Sequence, residues 1–386
     1  MLPLVGAAAL LLAASPLPGE LSAGSTATVV SNVKKPRPVN KRSIQKAGRA
    51  GKSAVKRVAK RPAKVAPKRP AAAPRSRVAA QPTPNDPLWS SSWSLTRTNV
   101  PAAWNLTPGV AETVVAVLDT GVDLAHPDLQ GAVVPGYDAV NRDDDPTDDH
   151  GHGTMVAGVV AARANNALGG AGVCAGCSVM PVKVIAGNGS GTAADIADGI
   201  RWATEHGADI VNMSFALSGP DDGVAQAIAF AQSRGVVVVA AAGNAGVADV
   251  AYPAGYPGVV SVAGTDSADA RYGWSNYGGW VRLAAPGCSI STAAGGSYGE
   301  FCGTSSATAF VSGMAGLIRS LAPELPADGL GQALAASAVR VGDFVSAGRV
   351  DVGGAAALLR QGAPSATTSS APAPVPVAPE SGSSLE

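Results

Sequence analysis

Aromatic side chains are scarce in this chain. Its 6 Trp, 6 Tyr and 5 Phe make up 4% of 386 residues. Set beside 47 glycines, that scarcity argues against a β-sandwich and for a tight, turn-rich α/β body. Histidine and cysteine are rare as well, with 4 of each, so imidazole and thiol chemistry have few candidates. Residues 31–80 contain no Asp, no Glu and no aromatic residue. The amino-terminal apolar run, residues 2–17, falls short of the roughly 20 residues a membrane-spanning helix needs. No internal repeat is evident, which sets aside repeat architectures.

What is present is unevenly placed. Residues 31–80 hold 17 of the 29 Lys and Arg, whereas in residues 81–386 the other 12 face 27 Asp and Glu, a balance of −15. The overall charge of +1 therefore joins a basic arm to an acidic body. The arm is rich in Lys, Arg, Ala and Pro, its like charges repel, and it cannot bury enough apolar surface to offset its ordering entropy. Residues 28–84 thus read as a disordered pro-segment or linker. The sharper alternative is an arm that touches an anionic polymer or a membrane surface.

Residues 1–27 read as a signal peptide: an apolar run of the right length, then small residues at Ser22, Gly24, Ser25 and Ala27. No Lys or Arg precedes the run, the first being Lys34, so a different start or a retained anchor is the alternative. Export to the medium or the cell envelope suits the cysteines. Cys174 and Cys177 form a C-x-x-C, and Cys288 and Cys302 bracket a Gly/Ser-rich loop. Two disulfides are expected, 174–177 and 288–302. Zinc is disfavoured because no second close Cys/His pair lies nearby.

From Glu112 onward, near-continuous Val/Ile/Ala runs alternate with helix-period stretches. The runs cover 113–119, 178–185, 208–214, 235–243 and 258–264, and the expected helices lie near 152–163, 192–206, 222–234 and 305–321. Runs of this kind mark strands covered on both faces, and the alternation implies βαβ crossovers in a layered α/β domain. That domain is expected over 85–360. Residues 361–386, rich in Ala, Pro, Ser and Thr, read as a flexible tail.

Three small-residue segments carry reactive groups in the order Asp, His, Ser: Val117-Leu118-Asp119-Thr120-Gly121, His150-Gly151-His152-Gly153-Thr154 and Gly303-Thr304-Ser305-Ser306-Ala307. A serine hydroxyl attacks a carbonyl well only when a neutral imidazole takes its proton and a carboxylate steadies that imidazole. Asp119 ends the first apolar run, where strand carboxyl ends face a ligand crevice in open α/β sheets. Ser305 begins a helix, where free N–H groups and the dipole favour negative charge. Each segment alone also fits a turn or a cap.

Together, and in this order, the segments resemble those of the subtilisin-like serine proteases, over about Asn85 to Leu359. The resemblance implies a three-layer α/β fold with a mainly parallel sheet between helices. It selects His152 rather than His150 as the base, because the family places that imidazole directly before Gly-Thr. It implies Asn244, in Ala241-Ala242-Gly243-Asn244, as an amide donor to the oxyanion beside the Ser305 N–H. Three positions depart from the family pattern: Met155 replaces a second histidine, Ser306 a methionine and Ala309 a proline. None of these departures removes a reactive group.

The resemblance further implies two edges that sandwich an extended peptide, Gly189-Ser190-Gly191 and Ser214-Phe215-Ala216. Ala216 stands where Gly is usual, and Ala245 where some relatives carry Glu, so apolar side chains are expected before the cut. Structural Ca²⁺ is implied at Asp86, Asp128, Asn166, Leu168 and Gly170, and a second ion at Asp138, Asn141 and Asp143. The expected protein is a secreted, monomeric serine endopeptidase of broad specificity, acting on proteins or peptides through an acyl-enzyme. A basic-armed binding protein without turnover and a narrow processing enzyme are the alternatives.

Overall fold

The computed structural model describes residues 83–360. The leader expected over 1–27, nearly all of the basic segment over 28–84 and the tail over 361–386 lie outside the described residues. Helices α1 (Trp93–Arg97) and α2 (Val100–Trp104) precede β1 (Val114–Asp119) and β2 (Tyr137–Asp138). Next come α3 (His152–Ala161), β3 (Ser178–Lys183), α4 (Ala193–Glu205), β4 (Ile210–Met213), α5 (Asp222–Ser233), β5 (Val237–Ala241) and β6 (Val260–Thr265). The chain continues through β7 (Leu283–Pro286), β8 (Cys288–Ala293), β9 (Ser297–Cys302), α6 (Thr304–Leu321), α7 (Ala327–Ala336), β10 (Gly348–Arg349) and α8 (Val352–Arg360).

Eight strands form one sheet in the order β10-β7-β6-β5-β4-β1-β3-β2, and every neighbouring pair is parallel. Strands β8 and β9 form a separate antiparallel hairpin. The apolar runs are continuous because both sheet faces are covered. Val115 and Val117 of β1 pack into a core with α3 and α6, while Ala116 and Leu118 pack into a second core with α4 and α5. The three layers follow from this period-2 split. Pro181 lies inside β3 opposite Val117. Val179 bonds outward to Ala132 and Val134, so alternation puts the missing N–H of Pro181 on that same side, where no full strand needs it.

The helix starts differ in a way that matters for chemistry. Thr192 caps α4 through Asp195 N (3.1 Å), and Asp221 caps α5 through Val224 N (3.0 Å); such caps stabilise by about 1 kcal/mol each. Helices α3 and α6 start instead from Gly151 and Gly303, which have no capping side chain. Both disulfides expected from the sequence are present, Cys174–Cys177 and Cys288–Cys302. No helix among the described residues is long and apolar enough to cross a membrane.

Candidate active site

Side-chain alternation along β1 continues past Val117 to Asp119, which therefore points toward the α3 and α6 layer. There its Oδ1 meets His152 Nδ1 at 2.6 Å, with Asp119 fully buried and His152 2% exposed. Gly153 makes this approach possible. A Cβ at that position would lie 2.0 Å from Gly121 O and 3.1 Å from Asp119 Cβ, so any side chain would push α3 off the Asp119 turn. The Phe301 ring stands edge-on to the imidazole, with centroids 5.3 Å apart. Burial disfavours the imidazolium. The Asp119 carboxylate, by its charge and its hydrogen bond, and the Asp148 charge outweigh that, so the His152 pKa is held above its ordinary value of 6.5.

Asp148 is a residue of the site that the sequence analysis does not single out. Its carboxylate accepts from Thr120 Oγ1 (2.8 Å), His150 N (3.0 Å), Gly151 N (2.8 Å) and Thr154 N (2.9 Å). It thus ties the start of α3 to the turn after Asp119. The signal was available: an acid shortly before a helix start is a capping candidate. Five neighbouring aspartates within 138–149 hid it.

Ser305 lies in the first turn of α6 and is 6% exposed. Its Oγ donates to Ser214 O at 2.8 Å rather than to His152, and His152 Nε2 has no partner among the described residues. A buried chain fixes Ser214 in turn: Ser312 Oγ donates to Asn212 Oδ1 (2.9 Å), Asn212 Nδ2 to Ser214 Oγ (2.9 Å), and Ser214 Oγ to Ser305 O (3.1 Å). Asn244 Oδ1 accepts from Thr304 N and Thr304 Oγ1, both at 2.9 Å. Its Nδ2 and the Ser305 N–H have no acceptor among the described residues. A Cβ built on Gly303 would sit 3.5 Å from Asn244 Nδ2 and 3.6 Å from Ser305 N. Two unused donors therefore converge on one small space, and the φ of +143° at Gly303 keeps a side chain out of it.

Both expected edges lie between His152 and Asn244 in the chain, and the second begins with Ser214 of this cluster. Phe215 and Ala216 take part in no backbone hydrogen bond among the described residues. Phe215 is buried while Ala216 is half-buried. In the other segment Gly189 N donates to Ala186 O and Ser190 O accepts from Ala186 N. The Gly189 carbonyl and both polar groups of Gly191 make no such bond. Ala245 is exposed just past Asn244. A separate concavity of about 810 Å³, lined by Thr83, Trp89, Trp104 and Asn105 among others, contains none of these residues.

The first expected metal loop brings its residues together. Asp86 accepts from Asn165 N (3.0 Å) and Asn166 N (3.2 Å), and Asn166 Nδ2 donates to Asp128 Oδ1 (2.7 Å). Asp128 Oδ2 is buried without a partner. The carbonyls of Leu168 and Gly170 accept no hydrogen bond, whereas the intervening Gly169 O is taken by Leu88 N. Burial, with Asp86 nearby, raises the Asp128 pKa, and burial with the Asp128 carboxylate pushes the Tyr298 phenol up to about 12. Two buried acids and free carbonyls fit a hard cation. The second loop is different. Asp138 accepts from Val140 N (2.8 Å), Asn141 N (2.9 Å) and Asn141 Nδ2 (3.0 Å), while Asp143 Oδ1 accepts from Asp145 N (3.1 Å). Those contacts give Asp138 a turn-forming role.

Comparison with known proteins agrees with this geometry. Residues 111–371, more than half of the chain, match the model of the Subtilase family. Thermitase of Thermoactinomyces vulgaris is 42% identical over 240 residues, 62% of this chain and 86% of its own. A thermophilic serine proteinase of Bacillus sp. (strain AK1) is likewise 42% identical over 240 residues, and the match spans only 60% of its length. A solved protease from Pseudoalteromonas arctica PAMC 21717 superposes with a TM-score of 0.66 at 33% identity, covering 72% of this chain and 99% of that one. The chain belongs to the subtilase family and carries the domain of a subtilisin-like serine endopeptidase.

Proposed function

We propose that the protein is an exported endopeptidase that cleaves proteins or peptides through an acyl-enzyme on Ser305. The observation that carries this reading is the buried His152–Asp119 pair, whose unpartnered Nε2 belongs to the same layer as the Ser305 hydroxyl. In the reaction Ser305 Oγ turns from Ser214 O and gives its proton to His152 Nε2 as it bonds the scissile carbonyl carbon. Asp119 stabilises the imidazolium. The carbonyl oxygen gains charge between Asn244 Nδ2 and Ser305 N–H. His152 then protonates the leaving amine, the C–N bond breaks, and the acyl group stays on Ser305. Water repeats the sequence, losing its proton to His152, and the acid departs as the Ser305 hydroxyl reforms. A serine-directed organophosphonate is expected to add one phosphonyl group at Ser305 of the full chain, read by mass, and none in Ser305→Ala. An unlabelled but folded parent that binds polyanions would instead support the binding-protein reading.

The base must be neutral to act, so the rate falls as pH drops through the raised His152 value. The acid limb of kcat/KM is expected to have its midpoint above 6.5, the ordinary histidine value. Asp148→Asn removes a charge that favours the imidazolium, which lowers that pKa and moves the limb to lower pH. A pH–rate profile of parent and variant checks both signs; a limb that moves up in Asp148→Asn contradicts the assignment.

The edges Gly189-Ser190-Gly191 and Ser214-Phe215-Ala216 are proposed to hold substrate backbone as an added strand. With no acid at Ala245, the residue before the cut is expected to be apolar rather than basic, which a peptide-library cleavage profile reads directly. Calcium binding is general among subtilases, and Asp86, Asp128, Asn166 and the carbonyls of Leu168 and Gly170 are proposed to hold one ion; bound Ca²⁺ there neutralises the buried acids and does not enter the reaction. In the inactive Ser305→Ala background, calcium at about 100 to 1,000 times its Kd is expected to stabilise by about 3 to 4 kcal/mol over chelated protein. Calorimetry with and without chelator measures this, and no difference in Tm would remove the ion from the proposal. Family members of this kind and the Cys174–Cys177 and Cys288–Cys302 bridges support export to an oxidising compartment.

A further inference from the structure

Of the 12 Lys and Arg in residues 81–386, eleven are arginine and one is Lys183. That single lysine is 3% exposed, although ammonium groups are costly to bury. It ends β3 directly opposite Asp119 of β1. Its Nζ donates to Thr120 O at 2.8 Å, Ile185 O at 3.2 Å and Asp149 Oδ1 at 2.5 Å. An ammonium has three N–H donors, so every donor is used. Neither carbonyl accepts any other hydrogen bond among the described residues.

The three acceptors lie on three different parts of the site. Thr120 follows Asp119, and its hydroxyl holds the start of α3 through Gly153 N. Asp149 adjoins Asp148 in the segment entering α3, and it also packs on Gly187, where a Cβ would lie 2.8 Å from its Cγ. Ile185 leads into the turn closed by Ala186 and Ser190, which presents Gly189-Ser190-Gly191. One compact cation thus spans the carboxylate turn, the entry to the imidazole helix and one substrate edge. A planar guanidinium is larger and has five donors, which this three-acceptor site does not match.

We propose that Lys183 is a positioning residue that fixes the Gly189–Gly191 edge relative to the Asp119 turn, and so sets how well extended peptides are aligned for attack. The inference rests on the triad and edge assignments made under Proposed function. Lys183 does not touch substrate. It acts through the three groups that it holds, the carbonyls of Thr120 and Ile185 and the Asp149 carboxylate.

The test uses the full chain with two substrates sharing one leaving group, a single-residue ester and a tetrapeptide ester. Rates are normalised to sites titrated by organophosphonate. In Lys183→Met, KM for the tetrapeptide is expected to rise about tenfold, the effect of one lost alignment contact. KM for the single-residue ester is expected to stay within about twofold, and kcat to fall for both. A merely structural lysine would lower Tm and the active fraction, yet leave the ratio of the two KM values unchanged; that result overturns the proposal. If Lys183→Met does not fold, Asp149→Ala carries the test, because the Asp149 side chain is 57% exposed. It is expected to raise the same KM ratio about threefold, and an unchanged ratio there likewise overturns the proposal. A parent chain that takes no phosphonate and cleaves neither ester fails earlier, at the triad, and the Lys183 assignment falls with it.

Discussion

Ser305→Ala is expected to lower kcat by about 10⁶-fold with little change in KM. The hydroxyl is the atom that bonds the substrate, and no other group at the site can replace it. Ser306 is the obvious rival in sequence. Its side chain is fully buried, and its Oγ has no hydrogen-bond partner among the described residues, so it faces the protein interior. Ser306→Ala is therefore expected to keep organophosphonate labelling while Ser305→Ala loses it. Activity remaining in Ser305→Ala should still exceed that of water by about 10³- to 10⁴-fold, because oxyanion donors and substrate binding survive. Single-turnover and steady-state rates on protein shown to be folded by circular dichroism check this. A loss of less than about tenfold would remove Ser305 as the nucleophile.

Asn244→Ala is expected to cost about 10²- to 10³-fold in kcat, again with KM nearly unchanged. The reason is geometric. Thr304 N and Oγ1 occupy Asn244 Oδ1, which fixes the amide so that Nδ2 faces the space beside Ser305 N–H. A donor aimed there gains most when the carbonyl oxygen becomes charged, so it stabilises the transition state more than the bound substrate. kcat and kcat/KM should fall by equal factors. A rise in KM at constant kcat would instead make Asn244 an ordinary binding contact.

Much of the fold was legible because its strands are buried on both faces. The runs over 113–119, 178–185, 208–214 and 235–243 each contain an observed strand, the run over 258–264 covers all but the last residue of β6, and the four expected helices overlap α3, α4, α5 and α6. What the reading lacked were the short or small-residue elements: helices α1, α2, α7 and α8, strands β2 and β10 with two residues each, β7 with its LAAP, and the β8–β9 hairpin. Periodicity cannot register in two residues, and β9 sets a glycine and an acid side by side between its two aromatic residues, over only six positions. At the second expected calcium loop the sequence did not show that the Asp138 carboxylate would accept from Val140 N and from Asn141 N and Nδ2 of its own turn.

The identity and order of the reactive side chains, and the small residues around them, were properties of the sequence alone. So was the presence of glycine at 153 and 303, although the need for it, a close approach at 153 and a φ of +143° at 303, is tertiary. Only the tertiary structure decided which partner each group takes. The bonds of His152 to Asp119, Thr304 to Asn244 and Ser305 to Ser214 join residues 33, 60 and 91 positions apart. It also decided that one acid among six in the 138–149 loop, Asp148, binds the start of α3, and that the body's single lysine spans three segments of the site. Local patterns fix the period and the ends of an element. They carry no information about which far-off carbonyl a buried donor will meet, since that depends on how the layers stack.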